Sequence, residues 1–443
     1  MTGSGTNGSG LWIFTREQKR DEALVQKVRA IAAQKGFDLS VLNDVDQSAC
    51  GSITQVRVEP TEDLAKGELG IVATSKLVPG DILAWAPTSL LLSKPKAVEL
   101  WGDVVEALSD RVALILLLIQ ERYVHGKDSK WYVYMRSLPQ FDGDVSGPSF
   151  LWTEDELEWL QGSDGYGAAA AMYNTIVDEY VTLNESLFQE HSEKFPSSVF
   201  TFDHFLWGAA TVASRAYGDD AEGTHLCIAP LVDFLNHRAG ALQLTRFGNG
   251  IVAYAHKHYD VGEQVWVSYG GKSNAELLSQ YGFVDPDNGQ EAVYIRLGVH
   301  LQATGENAVQ KMALIQDLLE GAEPEGAIFK LALRPREWEP RLLPILRTLA
   351  WSDEDELPKE AKELVPRQSP EVESQAYAVL EAALLRRASE YPATLAADRE
   401  QLKAGGLSER NALGLKLRIS EQELIELIQT YAVGERSRES ESA

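Results

Sequence analysis

An α+β fold is predicted for this chain: a β-rich domain interrupted by helices, followed by an all-α C-terminal domain. Three observations predict it. Short strand-like runs punctuated by glycine and proline lie at Val56 to Val58, Leu69 to Thr74 and Asp81 to Ala84. The same kind of run returns at Leu242 to Phe247, Ile251 to Ala255 and Gln264 to Val267, after a long stretch whose apolar residues recur at three- and four-residue spacing. Beyond Asp285 the pattern is helical. Strands that resume after helices point to one domain split by an insertion rather than two domains in series.

In chain order, residues 1–45 hold a leader and a helix. MTGSGTNGSG is expected to be flexible, and Arg16 to Phe37 carries Leu24, Val28 and Ile31 at helical spacing, closed by Gly36. The β-rich domain is expected over 46–285, with its insertion at about 95–205. Pro95 to Tyr123 reads as helix. Its apolar core Val112 to Ile119 (VALILLLI) falls short of the roughly 20 residues of a membrane span, so it should be a buried helix. Trp131 to Ser146 reads as an aromatic, Pro/Gly-rich loop. Thr153 to Leu160, Gly167 to Ser192 and Thr201 to Tyr217 read as helices, the first opened by Thr153 with Glu156 three residues on, a capping box. The turn Gly248 to Gly250 joins the first two returning strands, and a short N-capped helix, Ser273 to Gln280, lies between Tyr269 and Tyr281. The helical domain, 286–435, should comprise Ala308 to Leu319, Arg341 to Ala350, Glu371 to Glu390 and Glu409 to Tyr431. The last of these puts Leu413, Leu417, Leu424 and Leu427 on one face. The acidic stretch Ser352 to Glu363 is expected to be mobile and 436–443 a disordered tail.

With 443 residues, 44% hydrophobic and 24% charged, the chain has room for two or three domains and for a sizeable core. A formal charge of -25 excludes the counterion-releasing surface of a direct nucleic-acid binder and favours a protein partner that is not itself strongly acidic. Cys50 and Cys227 are the only cysteines, which excludes a disulfide framework and a cysteine-rich zinc site and suits a reducing compartment. A cytoplasmic monomer without membrane attachment is expected, with plastid and nucleus left open.

Several chemistries fail on spacing. Lys66 to Gly70 (KGELG) lacks a third glycine and precedes a strand where a dinucleotide fold needs a helix, although Gly67 and Gly70 permit close approach of a ligand to the backbone. His256 and His258 share a strand face but lack a third metal ligand, so a solvated face is the plainer reading. Ser268 lacks the preceding glycine of a nucleophile elbow. What survives is Ile228 to Phe283, where Asp233-x-x-Asn236-His237 is followed after a hairpin by Tyr269 and Tyr281. Taken singly, His237 suits a core histidine and each tyrosine a core or rim aromatic. Both tyrosines at the ends of one short helix suggest a shared pocket.

Asp233-x-x-Asn236-His237, Tyr269, the run Ser273 to Leu277 and Tyr281-Gly282-Phe283 together resemble the SET-domain protein methyltransferases, in the branch of the Rubisco large-subunit lysine methyltransferase. GELGIVATSKLVPGDILAWAP resembles that domain's first strand pair, Thr211 to Tyr217 its Ser-Arg motif, and SERNALGLKLRISEQELIEL the helix that marks its C-terminal substrate-binding domain. The likeness spans about Val56 to Tyr431, and its specific part is the middle cluster.

The resemblance implies S-adenosyl-L-methionine as methyl donor and no metal. It implies that Gly67, Glu68, Leu69, Arg215, Asn236, His237 and Tyr269 bind the donor, with Arg215 meeting its carboxylate end. Ser214, Arg215, Asp233, Tyr281 and Phe283 would then bind the substrate, and Tyr269 and Tyr281 would be catalytic. The acceptor expected is a lysine of a protein substrate, since a tyrosine at Tyr281 resembles the lysine-directed members rather than their actin-histidine-directed relatives. The alternatives are a histidine acceptor on the same fold, which the compact turn Tyr269 to Ser273 resembles, and a catalytically silent interaction module.

Overall fold

β-branched and aliphatic residues are concentrated in the segments that pair as strands, and the computed structural model places them in small sheets. It describes residues 2–3, 12–13, 56–60, 69–141, 147–218, 225–247, 250–297, 307–319, 328–332, 337–352 and 356–442. The chain divides into two units, Met1–Leu151 with Ala171–Gly271, and Trp152–Ala170 with Lys272–Ala443. The expected helix at Arg16 to Phe37, most of the leader, and Gly248 and Asn249 of the hairpin turn lie outside the described residues.

In the first unit, β1 (Val56–Pro60) pairs antiparallel with β2 (Leu69–Ala73). Along the chain follow β3 (Ile82–Pro87), β4 (Leu92–Ser93), α1 (Lys94–Trp101), α2 (Asp110–Ile119), α3 (Tyr132–Ser137), α4 (Asp164–Glu185, its residues up to Ala170 belonging to the second unit) and α5 (Phe202–Arg215). Six strands complete the unit: β5 (Tyr217–Gly218), β6 (Leu226–Ile228), β7 (Asn236–His237), β8 (Thr245–Phe247), β9 (Gly250–Tyr254) and β10 (Gln264–Val267). The sheet orders are β1-β2-β10-β7, β8-β9-β3 and β4-β6-β5. Within the first of these, β10 runs antiparallel to β2 but parallel to β7, Trp266 opposite Asn236 and Val267 opposite His237. Ile71, Leu83, Ala84, Ile251, Ala253 and Val265 are wholly buried in the strand core.

Helix α2 is the centre of a second core. Ser109 caps it, its Oγ accepting from Val112 N at 3.2 Å, and every residue from Val112 to Ile119 is buried. Burying each such aliphatic side chain stabilises the fold by about 1.5–3 kcal/mol, which is why so apolar a helix stays inside. Trp131 to Ser146 departs from the expected loop: residues Tyr132–Ser137 form α3. Trp131, Tyr134, Met135 and Leu138 recur at helical spacing and all are buried, so packing imposes the helix. Helix α5 stops at Arg215, and Tyr217, expected in the helix, is already in β5.

The second unit contains α6 (Asn274–Tyr281), β11 (Ala292–Arg296), α7 (Ala308–Leu318), β12 (Ile328–Ala332), α8 (Leu342–Ala350), α9 (Pro370–Ser389), α10 (Leu395–Ala404) and α11 (Glu409–Ser442). Three expectations are corrected here. The domain is not all helical: β11 and β12 pair antiparallel, with Val293, Ile295, Phe329 and Leu331 turned into its core. Within the acidic stretch Ser352 to Glu363, residues 353–355 lie outside the described residues, and Leu357 and Ala361 are buried. The tail continues as α11 through Ser442, held by Arg436 to Glu381 at 3.2 Å and by Arg367 to Glu439, pairs that a polar composition alone does not reveal. The boundary also shifts from 285 to Gly271, and Trp152–Ala170 of the insertion joins this unit. Ala275 and Leu278 of α6 share a core with Trp152, Leu160, Leu413 and Leu417.

Candidate active site

Helix α5 ends by delivering Arg215 to the short turn Val232–Phe234 that carries Asp233. Arg215 Nη1 donates to Asp233 Oδ2 at 3.0 Å and to the Asp233 carbonyl at 3.2 Å. Tyr134 of α3 donates its hydroxyl to the same Oδ2 at 2.6 Å. The Asp233 side chain is 3% exposed and that of Arg215 18%. Burial pushes the Asp233 carboxyl above its usual range, against the pull of Arg215 and the Tyr134 hydroxyl. Burial also pushes the Tyr134 phenol well up, with the charge of Asp233 adding to it. Two buried polar atoms of the cluster, Arg215 Nε and Asp233 Oδ1, have no partner. The turn itself is entered through Leu231 at φ 75°, a conformation that costs a non-glycine residue of the order of 1–3 kcal/mol and often marks functional sites.

The parallel pairing of β7 with β10 brings the remaining polar residues of this unit together. Asn236 Nδ2 donates to the Leu69 carbonyl at 3.0 Å, tying β7 to the first residue of β2. The Tyr269 backbone N–H donates to His237 Nδ1 at 2.9 Å, so this nitrogen is an acceptor and the neutral ring carries its proton on Nε2. The Tyr269 hydroxyl donates to the Leu235 carbonyl at 2.9 Å, and the His237 and Tyr269 rings lie 5.2 Å apart. Gly270 follows at φ 104°, which lets the chain turn directly after the tyrosine.

Of the residues singled out in the sequence, hydrogen bonds in the first unit join two sets, Arg215 with Asp233, and Leu69 with Asn236 and His237 with Tyr269 along β7. Gly67 and Glu68 lie outside the described residues. The Ser214 hydroxyl donates back to the Ala210 carbonyl at 2.8 Å within its own helix. Tyr281 and Phe283 belong to the second unit, where their rings are 6.3 Å apart and the Lys272 ammonium stands 5.8 Å from the Tyr281 ring. Burial, reinforced by Glu276, pushes the Tyr281 phenol to about 12. His256 Nδ1 meets the Tyr259 hydroxyl at 2.8 Å. Among the described residues no group of three or more His, Cys, Asp or Glu side chains is placed to hold a metal ion, and no helix is long and apolar enough to cross a membrane.

Sequence reasoning missed Tyr134. Its signal was the helical spacing of Trp131, Tyr134, Met135 and Leu138, hidden by the neighbouring glycines and prolines. Nothing in the sequence pairs it with Asp233, 99 positions away.

Comparison with known proteins agrees with this geometry. Residues 306–425 match the family model described as Rubisco LSMT substrate-binding. The chain is 29% identical over 389 residues to the chloroplastic ribulose-1,5-bisphosphate carboxylase/oxygenase large subunit N-methyltransferase of Pisum sativum, covering 81% of this chain and 75% of that one. It is 26% identical over 439 residues to the actin-histidine N-methyltransferase of Danio rerio, covering 91% and 71%. The fold is similar to the solved SET domain of LSMT bound to lysine and AdoHcy, with a TM-score of 0.69 at 23% identity over 95% of this chain and 93% of that one. A second solved structure, Rubisco LSMT bound to AdoMet, gives the same TM-score at 24% identity over 94% and 93%. The substrate-binding family match, these relatives and the shared fold agree: the chain is similar in sequence and fold to the LSMT-like SET-domain protein methyltransferases.

Proposed function

We propose that the chain moves a methyl group from S-adenosylmethionine to a lysine side chain of a protein substrate. The observation that carries the reading is the double anchoring of Tyr269, by its backbone to His237 and by its hydroxyl to the Leu235 carbonyl. When bound, the donor supplies an electrophilic methyl group on a sulfonium, and transfer to an amine needs alignment and a dry path more than acid or base strength. A phenol whose proton is committed to a backbone carbonyl keeps its oxygen lone pairs fixed in direction, so Tyr269 is suited to orient a methyl group and an amine. Arg215 retains a buried Nε without a partner, which suits the acceptor oxygens of the donor's carboxylate end. Asn236 and His237 on β7, with Leu69 on β2, supply backbone and amide groups for the rest of the donor, and Gly67 and Glu68 are assigned there through the resemblance.

Asp233, Ser214 and the Arg215 backbone are assigned to the acceptor's path, and Tyr281 with Phe283 to its aromatic wall, with Tyr281 also catalytic. The tyrosine at Tyr281 resembles the lysine-directed members, which favours lysine over the histidine acceptor of the actin-directed relatives. A lysine amine is mostly protonated at neutral pH, and a desolvated channel favours its neutral form. A cytoplasmic monomer acting on a protein that is not strongly acidic fits the charge of -25 and the two cysteines. The test is incubation with labelled S-adenosylmethionine and a cell extract, followed by mass spectrometry. Label on a lysine is the expected result; label on histidine would shift the acceptor, and absence of donor binding at millimolar concentration by calorimetry would leave a silent module.

A further inference from the structure

We propose that Tyr134 is a positioning residue for the acceptor: its hydroxyl turns the Asp233 carboxylate so that Oδ1 is left to meet an N–H or ammonium group of the incoming side chain. This rests on the methyltransferase reading for the identity of that side chain, but the geometry stands by itself. Both side-chain donors that reach the carboxylate, Tyr134 at 2.6 Å and Arg215 at 3.0 Å, use Oδ2. Oδ1 is buried and has no partner, and a buried acceptor left unpaired is costly unless a ligand meets it. Arg215 alone does not fix the rotation, because its Nη1 is shared with the Asp233 carbonyl at 3.2 Å. The second anchor is the phenol. Tyr134 is itself held, 5% exposed, with its ring edge-on to Phe234 at 6.4 Å, and Phe234 also lies 5.6 Å beneath the Arg215 guanidinium. Tyr134, Phe234, Arg215 and Asp233 therefore form one packed set, and the free oxygen is of the chemical type that receives a cationic amine.

The alternative is that Tyr134 only fills space, and the test separates the two. The full chain, labelled with carboxyl-¹³C aspartate and assigned by Asp233→Asn, is titrated by NMR without donor. Tyr134→Phe removes a hydrogen bond to the charged form while keeping the ring, so the Asp233 midpoint should rise by about half a unit to one unit. n-Butylammonium chloride, a probe for the end of a lysine side chain, should shift the Asp233 resonance in the unaltered chain and bind at least about threefold more weakly to Tyr134→Phe. 4-Aminophenylalanine at position 134 restores an N–H donor and should restore both values. An unchanged midpoint and amine affinity in Tyr134→Phe overturn the proposal. So does an unaltered chain in which the amine leaves Asp233 unmoved, a measurement that does not need Tyr134→Phe to fold. Calorimetry with S-adenosylmethionine on the unaltered chain tests the methyltransferase reading separately, since donor binding does not require the Tyr134 bond.

Discussion

The Tyr269 backbone N–H and His237 Nδ1 are hydrogen-bonded at 2.9 Å, across the same parallel pairing that sets Trp266 opposite Asn236 and Val267 opposite His237. The tyrosine and the Asn-His pair are more than thirty residues apart in sequence, yet this bond ties them directly together. Because the hydroxyl of the same tyrosine returns to the Leu235 carbonyl, both ends of the side chain's frame are fixed by the segment that carries Asn236. A site that must align three atoms in a row gains from this rigidity, since misplacement by about 1 Å costs about 100-fold in rate.

Tyr269→Phe should therefore lower the rate of methyl transfer by about 100-fold or more, in the range seen when one oriented polar group is removed from a reacting centre. Affinity for S-adenosylmethionine should change by less than about threefold, because the ring and the backbone bond to His237 remain. Stability should fall by about 1 kcal/mol, the net worth of one hydrogen bond. Single-turnover kinetics with calorimetry checks the split, and an unaffected turnover would remove Tyr269 from its role.

Arg215→Met should destabilise the chain by about 3–5 kcal/mol, because it strands the Asp233 carboxylate in a buried position. Removing both charges, as Arg215→Met with Asp233→Leu, should recover most of that loss while leaving transfer abolished. Urea denaturation of the two single variants and the double variant gives the coupling directly. Additive losses would mean that the pair contributes nothing as a pair.

Tyr281→Phe addresses the product rather than the rate. With its phenol raised to about 12, Tyr281 stays a protonated hydrogen-bond donor throughout any workable assay range. Its replacement should change the number of methyl groups added, or the acceptor chosen, in a way that does not vary between about pH 7 and 9. Mass spectrometry of the product reads this; the same product distribution in the variant counts against Tyr281 lining the acceptor's path.

Sequence patterns made the interleaved strands and helices legible where the signal is local: β10 falls on Gln264 to Val267, the run expected as a returning strand, and Ser273 caps α6 with Glu276 in a capping box. They failed where the partner is distant in sequence. Tyr134 needed Asp233 to have a meaning, α11 needed Glu381 and Arg367 to extend through Ser442, and β12 had only Ile328 to Ala332 to signal a strand inside a helical region. Local pattern reports a residue's burial, while a polar side chain's role depends on which other polar group the fold sets against it.

The second unit supplies the last prediction, through Arg387. Its Nη2 donates to Asp164 Oδ1 at 3.2 Å and Glu421 Oε2 at 3.1 Å, its Nε to the Tyr294 carbonyl at 3.1 Å, and Nη1 to the Gly162 carbonyl. Tyr391 donates to the same Glu421 oxygen at 2.5 Å. One guanidinium thus serves two buried carboxylates besides the exposed Glu390, which its Nη1 meets at 3.3 Å, with Glu291 close enough to Glu421 to add repulsion. Burial pushes Asp164, Glu291 and Glu421 above their usual range. Carboxyls raised in the folded state bind more protons there than in the unfolded chain, whose values lie near about 4, so their contribution is present at low pH and is lost as pH rises through the folded values. Glu156, Glu263 and Glu276 are lowered and act in the opposite sense, but only below about 4.5. His256, held down by burial, also opposes below about 6.5, as a single site. The chain should therefore resist urea better at about pH 5.5 than at pH 8, helped by relief of its net negative charge. Arg387→Met should cost about 3–5 kcal/mol at neutral pH, and should steepen the decline toward high pH, because the two carboxylates lose the cation that favours their charged form. Denaturation midpoints of both proteins between pH 5.5 and 8 decide it, and parallel curves would show that Arg387 does not govern the charge of Asp164 and Glu421.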